Sequence, residues 1–159
     1  WTRNPEWTAK FKSFRDYNRG RMIVLAGQRG TGKTQLSICL AWSWMHQPNG
    51  PRTFLYAVAD KIIRQIQEAI GDGAKSAVIE RFAKADLLVI DEEDRRARSE
   101  SADRTFVELF DARYQFRKTT IIVTNRATQD EIQTAVGESI FSRLGEVGGV
   151  AWCRWEGFR

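Results

Sequence analysis

The chain has 159 residues, enough for one α/β domain with a sizeable core. Hydrophobic residues make up 42% and charged residues 28%, an ordinary soluble-globular balance, and no apolar run approaches ~20 residues, which excludes a membrane-spanning helix. The net charge of +5 points weakly to a polyanionic partner such as nucleic acid.

The chain opens on Trp1 rather than methionine, so a processed product or a domain cut from something longer is expected, with no membrane partner. Residues 1–19 read as a linker and helix, Trp7, Phe11 and Phe14 falling on one helical face. Residues 20–159 read as the main domain. Met22–Ala26 is an apolar run with the look of a buried strand, and Gly27–Gly32 is a glycine-rich loop. Lys33–Met45 has helical spacing, with Leu36, Leu40 and Trp44 on one side. Thr53–Val58 reads as a second strand. Ala59–Ile70 reads as a helix with Ile62, Ile63, Ile66 and Ile70 facing inward, broken by Gly71–Gly73. Ala74–Lys84 is a further helix and Asp86–Ile90 a strand. Ser101–Tyr114 follows as a helix and Thr119–Thr124 as a strand. Thr128–Ala135 and Glu138–Arg143 are two short helices, and Val150–Trp155 is the last strand. Strands alternating with helices argue a largely parallel sheet covered on both faces.

Residues Gly27, Gln28, Arg29, Gly30, Thr31, Gly32, Lys33, Thr34 and Gln35 form the candidate nucleotide-binding segment. Gly27, Gly32, Lys33 and Thr34 fit G-x-x-x-x-G-K-[ST]. Glycines let backbone N–H groups curl around phosphates, and the helix N-terminus adds favourable charge. Lys33 can reach the β- and γ-phosphates, and the Thr34 hydroxyl suits Mg²⁺. Leu87–Ile90 delivers Asp91 to a strand's carboxyl end, where it can hold the same metal. Glu92 beside it can polarise an attacking water. Glu93 reads as a solvated strand end, and Glu93–Arg98 as a charged surface turn or a contact to a neighbouring subunit or DNA. A strand ending in Thr124 and Asn125 supplies a polar group between the two nucleotide motifs, with Asn125 the first choice and Thr124 the fallback. Arg143 closes a short amphipathic helix and suits a triphosphate across a subunit interface, or a plain surface position. Arg159 can reach its own nucleotide or be a tail charge.

Cys39 and Cys153 lie in apolar patterns and read as buried free thiols, which suits a reducing cytosolic setting. With a single histidine, His46, no metal-site spacing arises.

The set GQRGTGKTQL, YAVAD, ADLLVIDE, IIVTNR, GESIFSRL and WCRWEGFR resembles the AAA+ ATPase domain of the bacterial helicase loaders DnaC and DnaI and of the related transposition ATPase IstB. The likeness covers nearly all of residues 20–159. It implies an ASCE-type P-loop NTPase, a three-layer αβα sandwich on a mostly parallel five-stranded sheet. It implies ATP and ADP as ligands with Mg²⁺, and hydrolysis of ATP to ADP and phosphate. In that family Lys33 and Thr34 match the residues that bind ATP and metal, Asp91 the metal aspartate and Glu92 the catalytic glutamate. Asn125 matches sensor 1, Arg143 the arginine finger and Arg159 the sensor-2 arginine. The resemblance further implies ATP-bridged self-association on single-stranded DNA in a bacterial or phage-infected cytoplasm. The implied partner is a DnaB-type hexameric helicase, contacted mainly by a domain that would precede Trp1. Lys61, Arg64 and Lys75 are the candidate DNA contacts. An IstB-like helper that binds duplex DNA and a transposase is the second reading. The usual Ile-Gly after the catalytic glutamate is replaced here by Glu93 and Asp94.

Overall fold

Residues 4–158 are described by the computed structural model. Helices and strands alternate through them: α1 (Pro5–Ser13), β1 (Met22–Ala26), α2 (Lys33–Met45), β2 (Phe54–Val58), α3 (Ala59–Gly71), α4 (Lys75–Lys84) and β3 (Leu87–Asp91). A 3-10 turn at Glu93–Arg95 leads into α5 (Glu100–Gln115), β4 (Thr119–Thr124), α6 (Gln129–Val136), α7 (Glu138–Val147) and β5 (Gly148–Trp152).

The five strands form one sheet in the order β2-β3-β4-β1-β5, every neighbouring pair parallel. Strands β1, β3 and β4 are buried along their whole length, which suits the apolar runs Met22–Ala26, Leu87–Ile90 and Ile121–Val123 within them. Alternate side chains serve opposite faces. Met22, Val24, Leu88, Ile90 and Ile122 pack with residues of α3 to α7, among them Ile66, Phe106 and Leu144. Ile23, Leu25, Leu87, Val89, Ile121 and Val123 pack with Leu36, Leu40 and Trp44 of α2 and with Trp7 of α1. The result is the expected three-layer αβα sandwich. Its parallel strands deliver Ala26, Asp91 and Thr124 to one edge, and the site lies there.

Caps fix the helices beside that edge. Ser99 accepts a hydrogen bond from the Ala102 N–H at the start of α5, and Thr128 and Glu131 form a reciprocal capping box at the start of α6.

Two local expectations are corrected. Ile70 is 54% exposed rather than inward-facing. It sits on the last turn of α3, where the neighbouring Gly71 and Gly73 also meet open space. The last strand covers Gly148–Trp152, not Val150–Trp155. Gly148 lies so close to β1 that a Cβ would fall 1.7 Å from the Met22 carbonyl oxygen. Beyond Trp152 the chain leaves the sheet and folds across the glycine-rich loop, so Cys153 is buried outside the strand.

Candidate nucleotide site

The glycine-rich loop joins β1 to α2. Gly32 caps α2 at φ +77, a left-handed conformation that glycine adopts without steric cost, and a Cβ there would strike the Phe158 ring at 2.8 Å. Lys33 is 5% exposed. Its Nζ donates to the Gly27 carbonyl at 2.8 Å and the Gln28 carbonyl at 2.6 Å. Burial lowers the Lys33 pKa, against the pull of Asp94 and Asp91.

Both ends of the described chain grip this loop. The Cys153 N–H donates to Ala26 O at 2.7 Å, and the Phe158 N–H to Gly30 O at 2.9 Å. Trp155 Nε1 donates to Thr31 O at 2.8 Å, and Trp7 Nε1 to Gly32 O at 3.4 Å. These ties use main-chain acceptors, so no pattern of side-chain types announces them in the sequence.

Asp91 is the last residue of β3 and 4% exposed. Its Oδ2 accepts from the Thr34 hydroxyl at 2.9 Å and the Tyr56 hydroxyl at 2.6 Å, and its Oδ1 from the Glu92 N–H at 2.7 Å. Burial and the hydrogen bond to Asp91 push the Tyr56 phenol upward. No motif marks Tyr56: it lies in the middle of β2, in register with Val89 of the neighbouring β3, and its long side chain reaches along the sheet to Asp91. Among the described residues no group of three or more His, Cys, Asp or Glu could cage a metal. The Thr34–Asp91 pair nonetheless fits Mg²⁺. That ion takes oxygen donors, keeps several waters, and is typically held by one or two carboxylates together with substrate phosphates.

Glu92 adopts φ +53 and ψ +41, left-handed for a non-glycine residue. Its side chain is 42% exposed and carries an ion pair with Arg95 at 2.9 Å. The sharp turn it makes overturns the reading of Glu93 as a solvated strand end. Glu93 is 1% exposed; it accepts from the Thr124 hydroxyl at 3.0 Å and from Arg126 Nε at 2.9 Å. The charged surface turn is corrected in part: Arg95, Ala97 and Arg98 are exposed, as expected, but Glu93 and Arg96 are not. Arg96 is buried, bonded to Asp103 at 2.6 Å and to Ala135 O at 2.7 Å, over the Phe106 ring. After the left-handed step at Glu92, Glu93 turns in against the end of β4 and Arg96 packs between α5 and α6.

Thr124 is buried with its hydroxyl committed to Glu93, so the fallback position is occupied. Asn125 is held by Asp94, described below. A cavity of about 500 Å³ opens between the glycine-rich loop and these strand ends. Lys33, Thr34, Asp91, Glu92 and Asn125 all line it, with Arg29, Gly30, Gly32 and Gln35 on the loop side and Phe158 at the tail. Thr31 is buried behind the loop, while Gly27 and Gln28 border a separate cleft beside Trp152.

Arg143 does not join this cavity. It pairs with Asp111 of α5 and lies over the Tyr114 ring at 5.0 Å, its side chain 31% exposed. Ile140 and Leu144 bury the other side of its helix. Arg159 lies outside the described residues. Of the three basic residues considered for DNA, Arg64 is paired with Asp60 at 2.6 Å and Lys75 with Glu108 at 2.7 Å; Lys61 is exposed.

No helix among the described residues is long and apolar enough to cross a membrane. The DnaA replication initiator of Wolbachia sp. subsp. Brugia malayi (strain TRS) is 29% identical over 123 residues, 77% of this chain and 26% of that protein. The chain thus spans about a quarter of the initiator it matches. An ATP-binding protein of insertion sequence IS1162 from Pseudomonas fluorescens is 29% identical over 97 residues, 61% of this chain and 41% of that protein. The crystal structure of the DnaC helicase loader superposes with a TM-score of 0.77 at 19% identity, covering 91% of this chain and 86% of that one. That likeness shows a shared α/β fold. The family model of IstB-like ATP-binding proteins matches residues 8–143. Since the match takes in β1, β3 and β4, whose ends build the cavity, the chain belongs to the family of IstB-like ATP-binding proteins.

Proposed function

We propose that the chain is the Mg²⁺-dependent ATPase module of a loader that binds single-stranded DNA and places a replicative hexameric helicase on it. The observation that carries the ATPase part is the Thr34–Asp91 contact at 2.9 Å, with Glu92 and Asn125 on the wall of the same cavity. Lys33 and the N–H groups at the start of α2 take the triphosphate. Thr34 and Asp91 hold Mg²⁺, which neutralises charge on the phosphates when bound. Glu92 takes the proton from water, and Asn125 orients that water. Arg143 serves the nucleotide of a neighbouring subunit, which agrees with its distance from its own cavity. Arg159 contributes to its own nucleotide as sensor 2. Residues 1–19 lead into the module of residues 20–159.

The likeness to DnaC and the match to an initiator favour replication. A specific observation favours a second reading, the transposition helper: the family is IstB-like, and one relative belongs to an insertion sequence. Fluorescence anisotropy with single-stranded and duplex DNA of matched length separates the two. The loader reading expects tighter binding to single strands with ATP than with ADP, and affinity that falls with salt. Equal or tighter duplex binding would reverse the order of the two readings.

A further inference from the structure

Asp94 is a third carboxylate on the cavity wall, after Asp91 and Glu92, and the chemistry above gives it no task. It lies in the 3-10 turn Glu93–Arg95, and with Glu93 it stands where the resembling family usually has Ile-Gly. Among the described residues, the residue it bonds across the cavity wall is Asn125. The Asn125 N–H donates to Asp94 Oδ1 at 3.1 Å, and Asn125 Nδ2 donates to Oδ1 at 3.1 Å and Oδ2 at 3.0 Å.

An ionised carboxylate only accepts hydrogen bonds, whereas an asparagine amide has a donor end and an acceptor end. The amide of Asn125 therefore has one orientation that satisfies Asp94, nitrogen toward the carboxylate and oxygen away from it. No described donor occupies Asn125 Oδ1, which is the free end of a side chain lining the cavity. Burial would raise the Asp94 pKa, yet the hydrogen bonds from the Asn125 side chain and backbone, with Asp94's own backbone N–H and the charge of Arg29, outweigh it and hold the carboxyl below its ordinary range.

We propose that Asp94 is a positioning residue for ATP hydrolysis, turning the Asn125 amide so that its oxygen, not its nitrogen, is offered to the attacking water. The inference rests on the ATPase reading given above. Water has two protons to place. Glu92 takes one as the water oxygen bonds to the γ-phosphorus and the bond to the ADP oxygen breaks. Asn125 Oδ1 accepts a hydrogen bond from the other O–H, which leaves a lone pair directed at phosphorus. With the amide reversed, Nδ2 would donate to that lone pair and oppose attack.

The test compares Asp94→Ala, Asp94→Asn and Asn125→Ala in the full chain at concentrations that support turnover. Asp94→Ala is expected to lower kcat roughly 10- to 100-fold with KM for ATP nearly unchanged, the signature of lost alignment rather than lost binding. In the Asn125→Ala background the same substitution should cost nothing further, because the two act as one unit. Asp94→Asn keeps the shape and one acceptor, so it covers the case in which the alanine variant fails to fold. It should fall between wild type and Asp94→Ala. A second readout needs no turnover: the Asn125 side-chain amide NMR signal, identified by its loss in Asn125→Ala, should shift in both Asp94 variants. Losses that add in the double variant, or a lower Tm with unchanged kcat per folded molecule, overturn the positioning role. Absence of turnover in the wild type at every concentration overturns the ATPase reading and this inference with it. Wild-type turnover with normal turnover in Asp94→Ala overturns this inference alone.

Discussion

At the amino-terminal edge of the sheet, Arg113 is fully buried, and its guanidinium is spent on protein oxygens. Nε donates to the Thr120 hydroxyl at 2.8 Å, and the other nitrogens donate to the carbonyls of Thr119 at 2.6 Å, Ala85 at 3.0 Å and Phe82. Burial brings its pKa down to about 9, which leaves it charged at neutral pH. At the carboxyl edge, Glu92 is half-exposed in a left-handed conformation, and Asn125 keeps one end of its amide free. Such a backbone conformation costs on the order of 1 kcal/mol or more for a non-glycine residue. It persists because Glu93, the next residue, is pinned beneath it by Thr124 and Arg126. Charge with every partner supplied by the protein builds scaffold. Charge with a free valence over a cavity is available to a ligand.

The largest expected effect asks whether that rule extends across a subunit boundary. Arg143 is paired with Asp111, but the pair is about one-third exposed, so an incoming triphosphate can compete for the guanidinium. Arg143→Ala should cut turnover of the assembled protein roughly 1000-fold or more while nucleotide binding by the isolated chain is unchanged. Mixing it with Lys33→Ala, which supplies a finger but binds no ATP, should restore part of the activity at shared interfaces. No recovery despite demonstrated co-assembly would make Arg143 a scaffold residue like Arg113.

Next come the two edges themselves. Glu92→Gln should keep ATP affinity and Tm but lower turnover roughly 100- to 1000-fold. Arg113→Met should do the reverse. It strands several buried carbonyls and should cost about 3 kcal/mol of stability, read by urea unfolding, with kcat per folded molecule preserved. If Glu92→Gln lowers stability as much as Arg113→Met does, the contrast between the edges fails.

Much of this was legible in the sequence because the physics is local. The β1 and α2 boundaries, the glycine-rich loop and Asp91 at a strand end follow from apolar runs and one motif. The misses are tertiary. Whether Glu93 faces solvent is decided by the backbone sign at Glu92, which no neighbouring residue type reveals. Tyr56 reaches Asp91 only because β2 pairs with β3, and Trp155 and Phe158 reach the loop only because the chain folds back after β5. Asp94 was visible as a departure from the resembling family, but its partner lies 31 residues away.

The smallest effect sharpens the scaffold side of the comparison. Asp86 accepts from Lys118 at 2.7 Å and from the N–H groups of Arg52 and Thr53 at 3.0 and 3.1 Å. Burial alone would raise its pKa, yet these donors outweigh it and hold the carboxyl at about 2. An unfolded aspartate titrates near ~4. The folded value is depressed, so the carboxylate stabilises the fold above about pH 4, and that contribution is lost as pH falls from there toward about 2. Asp86→Asn should therefore cost about 1–2 kcal/mol at pH 7, less than a full two-unit shift would give because the side chain is partly exposed. The deficit should shrink steadily in urea titrations at pH 4 and pH 2.5, where the wild-type carboxyl is itself being protonated. ATP affinity at pH 7 should not move, since Asp86 lies at the opposite end of β3 from Asp91. A deficit that stays constant across the acid range would mean that Asp86 acts through shape rather than charge, and the saturated edge would owe its stability to Arg113 alone.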